Sequence, residues 1–175
     1  EEEEVDAGGK KRKKRKQIFP RFHQLRTVRA LLRLAHADGV GNRYLIQHSA
    51  GSGKSNTIAW LAHQLVELRR KDDPLTVQFD SIIVITDRRA LDTQIARTIK
   101  GYDHVAAIFG HSDNAQELRE YLRRGKKIIV TTVQKFPFIL DELGDLSGKS
   151  FALLIDEGHS SQGGKTTARM HEALG

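Results

Sequence analysis

His48-Ser49-Ala50-Gly51-Ser52-Gly53-Lys54-Ser55 is the stretch on which the reading of this chain turns. Small residues let a backbone curl around a phosphate with successive amide hydrogens pointing inward, and the start of a following helix adds a favourable dipole. The flanks supply that setting. Residues 44–47 read as a short strand, and Ile58, Leu61, Ala62 and Leu65 recur at the spacing of a buried helical face. Ala50, Gly51, Ser52 and Gly53 are the candidate phosphate cradle, Lys54 supplies a mobile positive charge for the β- and γ-phosphates of ATP, and Ser55 offers a hydroxyl to Mg2+. The first position of the general GxxxxGK[ST] pattern departs: His48 stands where glycine is usual.

A phosphate loop of this kind needs an acid to position its metal. Leu153-Leu154-Ile155-Asp156-Glu157 ends an apolar run on two carboxylates, the place where open α/β sheets put their ligands. Asp156 is the candidate second metal contact, and Glu157 the candidate base that orients and deprotonates an attacking water.

Working outward, Ile82 to Ile85, Ile128 to Val130 and Leu153 to Ile155 are continuously apolar and mostly β-branched. Such runs belong to parallel strands covered on both faces. Helical stretches are expected between them at residues 89–100 and 114–124, the second closed by Gly125. Upstream, Phe22, Leu25, Val28, Leu31, Leu32 and Ala35 share one helical face, and Gly39 and Gly41 stop that helix. Alternation of strand and helix makes the class α/β with a mainly parallel sheet.

The 175 residues suit one domain with a substantial core. With 38% hydrophobic and 29% charged residues and no apolar run near the roughly 20 that a spanning helix needs, a cytoplasmic protein without a membrane partner is expected. There is no cysteine, which removes disulfides and thiolate chemistry. The net charge is +7. Residues 1–16 hold five acids and seven bases in separate blocks, with Val5 and Ala7 as their only apolar side chains, and are expected to be a disordered linker or tail ahead of a domain at 17–175.

Five stretches in order carry a resemblance: Phe19 to Gln24, Gln47 to Ser55, Ile85 to Asp92, Ile128 to Phe136 and Asp156 to Gln162. Asp156-Glu157-Gly158-His159 resembles the DEAD/DEAH box of superfamily 2 helicases, and the set together resembles the motor of the restriction subunit of type I restriction-modification enzymes. That resemblance implies the first of two RecA-like, three-layer P-loop NTPase domains in a larger protein that translocates double-stranded DNA with ATP. It also implies a nuclease domain and modification and specificity subunits as partners. By position, Gln24 resembles a glutamine that reads adenine, and His159 a histidine linking nucleotide to DNA. Thr86, Asp87 and Arg88, and later Thr131, Thr132 and Gln134, resemble sequence-blind contacts to the nucleic-acid backbone. Two other readings stand beside this one. A kinase for a small molecule would use the same loop with an acceptor pocket, and a chain lacking the second motor domain would bind nucleotide without productive turnover.

Overall fold

The computed structural model describes residues 2–5, 11–14, 18–86, 95–96, 98–99, 109–132, 134–135 and 148–156. In chain order its elements are β1 (Glu2–Val5), β2 (Lys11–Lys14), α1 (Phe22–Asp38), α2 (Lys54–Val66), β3 (Ser81–Thr86), β4 (Phe109–His111), α3 (Ala115–Arg123), β5 (Ile128–Thr132) and β6 (Phe151–Ile155).

The three apolar runs become β3, β5 and β6, and with the short β4 they form a sheet in the order β4-β5-β3-β6, every pairing parallel. Ile82, Ile83 and Val84 are fully buried, as are Ile128, Ile129 and Val130. Each side chain of that size stabilises by about 1.5–3 kcal/mol when fully buried, so a run apolar at every position is best used where both sheet faces are covered. Both faces are. Ile82, Val84, Ile128, Val130 and Ala152 pack with Val28 and Ala35 of α1, Ala59, Leu61, Ala62 and Leu65 of α2, and the helical Ile95, Ala96 and Ile99. Ile83, Ile85 and Ile129 pack with Leu118 and Leu122 of α3. The result is a three-layer α/β domain. At the amino ends of the strands, Asp80 fixes register: its amide donates to the Ser150 carbonyl, its carboxylate accepts from the Ser150 amide at 2.8 Å, and its carbonyl accepts from Lys127 Nζ.

Helix ends follow the expected chemistry. Gly39 caps α1 at φ 77, and Gly125 follows α3 at φ 66, both in the left-handed region that suits glycine. Asn114 Oδ1 accepts from the Glu117 amide at 2.9 Å and starts α3.

One expectation changes. Residues 44–47 form no strand; Leu45 is 87% exposed, and the segment is held instead by Tyr44, whose hydroxyl donates to Asp38 Oδ2 at 2.8 Å. A strand exists only as part of a ladder, and neither β6 nor any other described strand pairs with this segment. At the amino terminus β1 and β2 pair antiparallel, with Glu2 in register with Lys14, Glu3 with Lys13 and Glu4 with Arg12.

His63 on α2 gives the fold a pH dependence. Its Nε2 lies 3.3 Å from the Ile99 carbonyl, which can only accept, so this nitrogen carries the proton. Burial pushes its pKa below the usual 6.5, with the Ile99 bond partly opposing. As pH falls, the unfolded chain therefore takes up this proton first. The contribution of His63 is complete above 6.5 and is lost through the window below it. Thermal denaturation between about pH 7 and 5 should show a falling midpoint whose slope is reduced in His63→Gln. Equal slopes for the two proteins would assign the dependence elsewhere.

Candidate functional site

The phosphate loop reaches α2 through Gly53, at φ 83 and ψ 39, with Gly51 also left-handed at φ 72. The Gly53 carbonyl accepts from the Asn56 and Thr57 amides at 3.1 and 3.2 Å, so the helix begins directly behind the loop. Among the described residues, buried Ser52 Oγ has no hydrogen-bond partner and nothing lies within 4 Å of where a Gly51 Cβ would stand. A buried hydroxyl without a partner is costly unless a ligand satisfies it. Together with two left-handed glycines at a helix start, it fits the oxygens of a bound phosphate.

The first turns of α1 grip this loop. Gln24 is only 3% exposed. Its Oε1 accepts from the Arg21 amide at 2.8 Å, while Nε2 donates to the carbonyls of Ser52 at 3.2 Å and Gly53 at 3.0 Å. The contact is close enough that a Cβ at Gly53 would lie 2.5 Å from Gln24 Nε2. His23 Nε2 donates to the Ser52 carbonyl at 3.1 Å, and its ring meets that of His48 edge-on, centroids 5.7 Å apart. Thr27 Oγ1 lies 3.3 Å from His48 Nε2. Helical periodicity puts Phe22 on the buried face of α1, yet Phe22 is 79% exposed and the polar Gln24 is inside. Loop carbonyls, not apolar side chains, are what the start of α1 packs on.

The sheet brings the acid to the same side. Ala152 and Leu154 of β6 face α1 and α2, so alternation along the strand turns Asp156 to that face as well. The Asp156 amide donates to the Ile85 carbonyl at 2.9 Å, extending the ladder by one residue, and Asp156 is 5% exposed. Thr86 and Thr132 are register partners. The same alternation sets Thr132, Thr86 and Asp156 in a row across the carboxyl ends of β5, β3 and β6. α2, which begins at Lys54, packs on β3, β5 and β6.

Thr131 points the other way. It is fully buried, and its hydroxyl accepts from Ser112 Oγ at 2.9 Å. Gln134 is exposed. Asp87, Arg88, Glu157 and His159 lie outside the described residues. The recess beside the loop, about 450 Å3, is lined by Arg21, His23 and residues 47–52; Lys54, Ser55 and Asp156 are not among its walls. Sequence patterns single out the loop and the acid but miss His23 and Thr27, whose only sequence signal is proximity to Gln24.

Residues 23–175 match the sequence model of the SWI2/SNF2 ATPase. The chain belongs to this family. It is therefore a helicase-like ATPase motor domain, and the P-loop α/β fold expected from the loop and the buried strands is the fold of such a domain. Among curated proteins it is 31% identical over 136 residues to the C-terminal part of a putative type I restriction enzyme MpnIIP endonuclease subunit from Mycoplasma pneumoniae, covering 73% of this chain and 61% of that one. It is 24% identical over 180 residues to a putative type I restriction enzyme MjaIXP endonuclease subunit from Methanocaldococcus jannaschii, covering 91% of this chain and 16% of that one. A third relative, the type I restriction enzyme HindI endonuclease subunit of Haemophilus influenzae, is 30% identical over 125 residues, 68% of this chain and 11% of its own length. The chain thus spans 61% of the first relative and a small part of the other two. No solved structure gives a significant match. Among the described residues no helix is long and apolar enough to cross a membrane.

Proposed function

We propose that this ATPase domain binds Mg·ATP through Lys54, Ser55 and Asp156 and serves as one half of a motor that moves along double-stranded DNA within a larger restriction-type assembly. The observation that carries the reading is the placement of Asp156 and the start of α2 on one face of the sheet, the geometry a phosphate loop and its metal-positioning acid require. Magnesium, when bound, would neutralise charge on the phosphates. Ser55 and Asp156 would hold it. The loop amides and Lys54 bind the β- and γ-phosphates, and Ser52 Oγ donates to a phosphate oxygen. Glu157 orients a water and takes its proton as the water attacks the γ-phosphorus, while the bond from that phosphorus to the β,γ-bridging oxygen breaks and ADP leaves with its electron pair.

Gln24 is assigned to the loop before the base, because both of its N–H groups are already engaged by loop carbonyls; reading adenine would require releasing one. Contact with the DNA backbone is assigned to Asp87, Arg88 and the exposed Gln134, with His159 relaying between nucleotide and DNA. Thr86 and Thr132, buried beside Asp156, suit positioning of the site's edge. Thr131, bonded to Ser112 on the opposite face, belongs to the core.

ATP turnover by a protein containing this domain and its second motor domain, measured with and without DNA, tests the reading. DNA is expected to stimulate turnover, and Asp156→Asn to abolish the stimulation. Phosphoryl transfer to a small metabolite, with no response to DNA, would replace the motor by a kinase.

A further inference from the structure

The general phosphate-loop pattern has no use for a histidine at its first position, and binding of Mg·ATP by Lys54, Ser55 and Asp156 leaves His48 without a task. Yet its ring is gripped from two sides by α1. His23 meets it edge-on and Thr27 reaches its Nε2, while His23 and Gln24 of the same helix turn hold the carbonyls of Ser52 and Gly53 at the far end of the loop. The contacts thus reach both ends of the loop. A trans peptide unit is planar, with its C=O and N–H antiparallel. Turning the Ser52 carbonyl toward α1 therefore turns the Gly53 N–H away from it. The Gly53 carbonyl likewise sets the Lys54 N–H. These are amides that a phosphate cradle must present.

We propose that His48 is a positioning residue which, through Thr27 and His23, clamps the start of the phosphate loop to α1, so that the loop is set for the triphosphate before nucleotide binds. The proposal rests on the nucleotide-binding reading and adds to it a purpose for the histidine. The recess beside the clamp offers an alternative in which His48 touches the nucleoside, and the test separates the two.

Affinity for Mg·ATP and for Mg·tripolyphosphate, a probe with no nucleoside, is measured by calorimetry on the 175-residue chain and on Thr27→Val, Thr27→Ser, His48→Gly and the Thr27→Val/His48→Gly double variant, with Lys54→Ala alongside. Valine puts a methyl group in place of the hydroxyl, so Thr27→Val should stay folded, with its thermal midpoint lowered by no more than about 2–4 °C. It is expected to weaken both ligands alike, about three- to tenfold, the range for one lost hydrogen bond. Thr27→Ser should restore binding to within about twofold. His48→Gly should lose about tenfold or more, and the double variant no more than His48→Gly alone, because both changes break one contact. Unchanged affinity in Thr27→Val and His48→Gly beside a clear loss in Lys54→Ala would overturn the clamp and leave the ATP site standing. Loss of ATP binding with tripolyphosphate unaffected would also overturn it, assigning His48 to the nucleoside. No loss in Lys54→Ala would remove the underlying site itself.

Discussion

Lys54→Ala should lower affinity for Mg·ATP by roughly a hundredfold while leaving the fold intact. The expectation has two parts. A charged hydrogen bond contributes about 1.5–3 kcal/mol, and Lys54 is proposed to hold both the β- and γ-phosphates, so losing it should cost about 3 kcal/mol, or two powers of ten. Position 54 is also the first residue of α2, and alanine is the best helix former, so the helix start survives the change. Calorimetric titration with Mg·ATP and a thermal melt of the same sample check the two parts separately. Equal affinity for parent and variant would remove the loop from the nucleotide site, whatever the family resemblance.

A larger effect is expected on turnover when a second motor domain is present. The described part of the site contains the phosphate loop and Asp156, groups that bind and orient. In P-loop ATPases an arginine supplied from outside the loop-bearing domain stabilises charge as the phosphoryl group transfers and is worth roughly 10³ to 10⁵ in rate. The 175-residue chain should therefore bind ATP and hydrolyse it very slowly, without translocation. A protein carrying the second domain should turn over faster by a factor in that range, and replacing the contributed arginine by alanine should return it to the slow rate. Single-turnover hydrolysis under saturating ATP measures this directly. Brisk DNA-dependent turnover by residues 1–175 alone would show that the site is complete within one domain.

The two expectations divide the work of the site. Binding needs groups that the loop and one strand end can supply within a single sheet. Fast chemistry needs charge stabilisation that appears only as bonds change, and that is most economically brought by a partner domain that closes on the nucleotide. The clamp of α1 on the loop belongs to the first task, since it sets amide directions before any ligand is present.

Much of the fold was legible in the residues alone, and the reasons are local. A GSGKS loop between small residues and a helical pattern has little other use, and Gly51 and Gly53 adopt the left-handed angles that such a curl demands. Runs of isoleucine and valine with no polar alternation leave few options but a sheet covered on both faces, and β3, β5 and β6 are where those runs lie. Asp156 is found at a strand end for the same reason.

Other features were decided only by the tertiary structure. Thr131 and Thr132 are neighbours in sequence and resemble one motif, yet the pleat sends one to Ser112 under α3 and the other to the row beside Asp156. Residues 44–47 have strand-like composition but no ladder partner among the described residues. The phosphate loop, finally, could be read from eight consecutive residues, whereas its attachment to His23, Gln24 and Thr27 joins positions 21 to 29 apart in the chain. Local chemistry determines what a loop can bind. How its peptide planes are turned depends on side chains that only folding brings within hydrogen-bond reach.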